Sequence, residues 1–193
     1  MVSAASGVAG GDEVVEVDTL PTVASCLVAQ TISHRAGWNA DADSVYRVLV
    51  DDEYLQARLH ELGGKDPALT EHSVGDSGAR LKLRHSVAVE FLPSVMRRFT
   101  GGDLVLDRVE TWTPEAGGGY RGTFEVTVRG LPGKLTGRQS LHDVEGGSES
   151  TVEGSAEVPV PFVAGKIESV VNEQVGALLD AEDEFTRRWM AEH

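Results

Sequence analysis

Cysteine is nearly absent from this sequence: Cys26 is the only one in 193 residues. That excludes an intrachain disulfide and a cysteine-based zinc site, and it fits a reducing, cytoplasmic setting. Positive charge is also scarce, with 17 Lys and Arg against 31 Asp and Glu and a net charge of -14. A chain this acidic, with no basic run, matches neither a phosphate backbone nor anionic lipid headgroups, so no nucleic-acid partner is expected. No apolar run reaches the 18 residues that a membrane-spanning helix needs, so no stable membrane insertion is expected. The histidines are scattered, with no two at zinc-site spacing. Phosphate-binding glycine loops and the G-x-S-x-G nucleophile motif are missing too. No metal or cofactor is expected.

What remains is ordinary globular material: 40% hydrophobic and 25% charged residues. The length suits one domain with a tail. Residues 1–28 are Gly- and Ala-rich, carry Asp12, Glu13, Glu16 and Asp18 with no Lys or Arg, and have no sustained period. They read as a disordered acidic extension without the basic start of a secretory signal, and residues 29–193 read as the domain.

Within that domain the hydrophobic period changes twice. A strand over 31–38 has Ile32, His34, Ala36 and Trp38 on one face. Two short helices follow, the first capped by Asn39 or Asp41 and the second by Asp51 or Asp52, with Gly63 and Gly64 as the stop. Six strands are then predicted over about 67–74, 78–91, 104–113, 120–129, 134–144 and 149–160, separated by glycine-rich turn signals. Pro161 opens a long helix with Val163, Ile167, Val171, Val175, Leu178, Phe185 and Trp189 along one side. This is an α+β domain with an antiparallel sheet of about seven strands, one wet face and one long C-terminal helix.

That element order, with "GWNADADSVYRVLVD" after the first strand, resembles the START-like superfamily, also called SRPBCC or helix-grip. Within it, "ETW" at 110–112, "GLPGKLTG" at 130–137 and "VPVPFVAGKIE" at 158–168 resemble an actinobacterial family of unknown function. The resemblance implies a strongly curved sheet gripping the C-terminal helix around a cavity. Superfamily members bind lipids, sterols, quinones, polyketides or plant hormones; some are cyclases, others bind co-chaperone clients. A fold of this kind does not choose among them.

The alternation nominates residues that face such a cavity. They are Leu83, His85, Val87 and Phe91 on one strand, and Tyr120, Phe124 and Val126 on another. Gln139 and Leu141 come from a third strand, His34 from the first, and Ile167, Val171 and Gln174 from the helix. Four of these are polar on apolar faces: His34, His85, Gln139 and Gln174. A greasy pocket with a few orienting polar groups has this pattern. His85 has two open readings, a ligand contact or proton carrier and a core histidine satisfied by a backbone carbonyl or water. Gly122, Gly137, Gly154 and Ala156 fall on inward parities and leave room. In 104–113 either parity could face inward, and a solvated face is the expectation for Arg108 and Glu110.

Binding of a hydrophobic small molecule is the leading expectation. A cyclase or aromatase using His85 as acid or base, and a non-catalytic interaction module, are the alternatives. The sequence leaves the oligomeric state open.

Overall fold

A computed structural model describes residues 29–92, 94, 97, 101–130, 133–157 and 164–193; for 29, 30, 91 and 164–172 the description is of the backbone. The expected tail with Cys26, the loop residues Met96 and Phe99, and Pro161 with Val163 lie outside these residues. The side chains of Phe91, Ile167 and Val171 lie outside them as well.

The elements follow the expected order. They are β1 (Ala29–Trp38), α1 (Ala42–Leu49), α2 (Asp52–Leu62), β2 (Ala68–Gly75), β3 (Gly78–Val87), β4 (Leu104–Pro114), β5 (Tyr120–Val128), β6 (Lys134–Val144), β7 (Gly147–Glu157) and α3 (Ala164–Glu192). One correction concerns the end of β3, which stops at Val87 and not at residue 91. Val89–Phe91 is a 3-10 turn. The N–H of Val89 goes to the Asp103 carboxylate at 3.0 Å, which takes the backbone out of the ladder and removes Phe91 from the strand.

The helix boundaries follow from capping chemistry. Asp41 accepts a hydrogen bond from the Ser44 N–H at 2.8 Å, and Asp51 does the same for Tyr54 at 2.9 Å. Each satisfies an N–H that the first helical turn leaves without a carbonyl. Asp143 on β6 accepts from the Ala42 N–H at 2.7 Å, tying the start of α1 to the sheet.

The seven strands form one antiparallel sheet in the order β1-β7-β6-β5-β4-β3-β2. Strands β2 to β7 are a meander, and β1 returns to pair with β7. The connection from β1 to β2 therefore crosses from one edge of the sheet to the other, and α1 and α2 make that crossing. α1 packs on β6 and β7, and α2 on β2 and α3.

Among the described residues the only register shift is between Leu69 and Glu71 on the edge strand β2. The inner parity therefore runs unbroken across β3 to β7 and β1. One rung reads Leu83, Arg108, Val126, Leu135, Ala156. The next reads Leu81, Glu110, Phe124, Gly137, Gly154, Ile32. A third reads Ala79, Trp112, Gly122, Gln139, Val152, His34. The end under α1 and α2 is tightly filled: Val45, Tyr54, Leu55, Leu81, Leu83 and Leu141 pack there with Trp38, Trp112 and Phe185.

Candidate functional site

Where the filled end stops, four charged side chains meet inside the protein. Arg58 comes from α2, Arg108 and Glu110 from β4, and Glu182 from α3. Arg108 Nη1 donates to both Glu182 oxygens, at 2.9 and 3.1 Å. Arg108 Nε stands 2.7 Å from Glu110 Oε1, but the N–H is not aimed at that oxygen, so the contact is an ion pair without a hydrogen bond. Arg58 adds longer contacts, 3.6 Å to Glu182 and 3.9 Å to Glu110. It also lies 5.5 Å from the centre of the Tyr54 ring. Two cations face two anions, and the wall they form carries no net charge.

Neutral groups hold this wall in place. Thr186 donates to the backbone carbonyl of Glu182 at 2.7 Å, one turn back. That commits its hydroxyl hydrogen, so the 2.7 Å contact between Tyr54 and Thr186 has Tyr54 as donor. Gln139 Nε2 reaches Glu110 Oε2 at 3.5 Å. Burial by itself would push the Glu182 carboxyl up, but Arg108 and Arg58 outweigh it and hold it at about 2. Burial depresses Arg58, and Glu182, Tyr54 and Glu110 together more than reverse this.

His85 lies beside the wall, on the rung with Leu106 and Val128. It is 7% exposed, and neither ring nitrogen has a hydrogen-bond partner among the described residues. Burial and then the positive charge of Arg108 bring it down to about 4, so the imidazole is neutral at neutral pH and presents one N–H and one lone pair.

The other nominated residues divide. Leu83 and Leu141 are fully buried parts of the filled end. Tyr120 is taken up there too, stacked on Tyr46 at 3.7 Å and donating to Asp43 at 2.8 Å. His34 is on the inner face but its Nε2 meets Asp183 of α3 at 2.7 Å, so it joins β1 to the helix. Val87 and Val126 are half-buried. Gln174 is exposed. The buried side of α3 centres on Glu182, eight residues on and about 80° round the helix, so Gln174 falls on its flank.

The inward glycines do not all leave space. The ring of Phe124 lies over two of them: a Cβ built at Gly154 would be 2.8 Å from Phe124 Cζ, and one at Gly137 would be 2.5 Å from it. Gln139 covers Gly122, its Cγ 3.0 Å from where a Cβ would be. These glycines admit side chains from neighbouring strands.

Sequence reasoning missed the charged wall. Glu182 sits four residues after Leu178 and three before Phe185, inside the apolar stripe of α3. Arg58 sits four after Tyr54 and four before Leu62. Arg108 and Glu110 share parity with Leu104, Leu106 and Trp112. The available signal was that two positive and two negative residues occupy apolar positions on three elements, a set that can cancel.

Comparison with known proteins agrees with this architecture. The chain is 28% identical over 162 residues to Uncharacterized protein Rv0481c of Mycobacterium tuberculosis strain H37Rv, covering 80% of this chain and 93% of that protein. Among solved structures, TTHA0849 from Thermus thermophilus superposes with a TM-score of 0.55 at 17% identity, over 81% of this chain and 96% of the other. Norcoclaurine synthase from Thalictrum flavum gives 0.53 at 13% identity, over 99% and 100%. These likenesses establish the START-like fold. Residues 33–190 match the family described as "Protein of unknown function (DUF2505)", and the chain belongs to that family.

Proposed function

We propose that this protein binds a hydrophobic small molecule between the inner face of its sheet and α3. The observation that carries the reading is a contrast along that face. At the end under α1 and α2, the inward Leu81, Leu83 and Leu141 are fully buried. On the Arg108 rung and the one after it, the inward Val126, Leu135, Leu106 and Val128 are only half-buried, while Leu104 one rung further on is buried again. The apolar surface of the half-buried residues is what a ligand would cover. Each 100 Å² of apolar surface removed from water contributes about 2.5 kcal/mol, before ordering costs.

The acid–base alternative has less behind it. His85 at about 4 is a weak base at neutral pH, and no carboxylate hydrogen-bonds its ring among the described residues.

The test is titration with the uncharged fluorophore N-phenyl-1-naphthylamine. Saturable, blue-shifted emission from wild type is expected, lost in Val126→Trp and Leu135→Trp while far-UV circular dichroism is unchanged. Wild type without saturable emission, or both variants binding normally, would overturn the proposal.

A further inference from the structure

We infer that the ligand's polar end is an uncharged oxygen group, a hydroxyl in its simplest form, oriented by His85 against the charge-balanced wall of Arg58, Arg108, Glu110 and Glu182. This rests on the binding site proposed above and names the chemistry that the site selects.

A charged group leaving water needs an opposite charge beside it, or the desolvation cost stands unopposed. Within the described residues, the charges next to the half-buried apolar patch already cancel: Arg108 is bound by Glu182 and Glu110, and Arg58 faces the same two carboxylates. Among the described residues, a ligand carboxylate would find no uncompensated cation, since both guanidiniums already face both carboxylates, and an ammonium no uncompensated carboxylate. Besides the Arg58 Nε and Nη2 groups, which stay beside the two carboxylates, the site offers the imidazole of His85, buried and without a hydrogen-bond partner on either nitrogen among the described residues. The charged groups facing it come from α2, β4 and α3 with two charges of each sign, and burial, then Arg108, keep the ring neutral. A neutral imidazole offers one donor and one acceptor. A hydroxyl has the same pair of capacities and adds no charge.

The head group can be tested with an eight-carbon series displacing N-phenyl-1-naphthylamine at pH 7.5: 1-octanol, octanoate, octylammonium and 1-chlorooctane. In wild type, octanol should displace the probe at a concentration at least tenfold below octanoate or octylammonium. His85→Leu, an apolar exchange that leaves the wall intact, should lower the octanol-to-chlorooctane affinity ratio about threefold to tenfold, the span of one net hydrogen bond. Glu110→Gln and Glu182→Gln each leave the wall one positive charge in excess, and either should move preference towards octanoate by tenfold or more. Octanoate matching octanol in wild type would overturn the inference, as would a ratio unmoved by His85→Leu, and in both cases probe binding itself would still stand. Absence of saturable probe binding is the separate result that removes the underlying site.

Discussion

Glu182→Gln tests the charged wall directly, because it keeps the shape of the side chain and removes only the charge. In the native protein Glu182 is held at about 2, against an unfolded value near 4.5. Its folded pKa is depressed, so its contribution is complete above the unfolded value and disappears as pH falls through the folded one. The difference corresponds to about 3 kcal/mol at pH 7. Breaking a buried ion pair from one side costs about the same, roughly 3–5 kcal/mol, because the partner is left uncompensated. The variant should therefore unfold about 6–12 °C below wild type. By urea unfolding the gap should shrink from about 3 kcal/mol at pH 7 to about 1 kcal/mol at pH 3, where the unfolded carboxyl is already protonated. The double replacement Arg108→Met with Glu182→Leu removes one charge of each sign and leaves Arg58 opposite Glu110. It should lie much nearer wild type than the summed single effects. A Glu182→Gln protein within 1 kcal/mol of wild type, with a gap that pH does not change, would refute the compensation argument.

Two further outcomes follow from the packing. Gly154→Ala places a Cβ 2.8 Å from Phe124 Cζ and 2.9 Å from the Thr136 carbonyl oxygen, and should cost about 1–3 kcal/mol in thermal unfolding; Phe124→Leu in the same chain should return part of that loss, and an unchanged melting temperature in the single variant would count against the ring-over-glycine arrangement. Thr186→Val strands the buried hydroxyl of Tyr54 and should cost about 1–3 kcal/mol, most of it recovered by adding Tyr54→Phe, and the double-mutant cycle reports whether the two residues are coupled.

The fold was legible because its determinants are local. Strict alternation in 78–87 and 120–128, glycine-marked turns, and Asp41 and Asp51 before amphipathic segments each specify an element within a few residues. The inward parity of His34, His85 and Gln139 was legible for the same reason, since no register shift interrupts β3 to β7 or β1 among the described residues. The site was legible only in part. Gln174 was placed inward from a stripe anchored at Val163, whereas the buried side follows Glu182. The inward glycines suggested empty space, yet their neighbours on β5 and β6 extend over them.

The sequence by itself determined the order of elements, the caps and the alternation, because backbone propensity and period act over a few residues. Only the tertiary structure decided which charges are buried. Arg58, Arg108 and Glu182 are tens of residues apart in the chain, and each taken alone belongs in water. A buried charge is stable only when an opposite charge from another element arrives to meet it. That condition is a property of the assembled fold and of none of its segments.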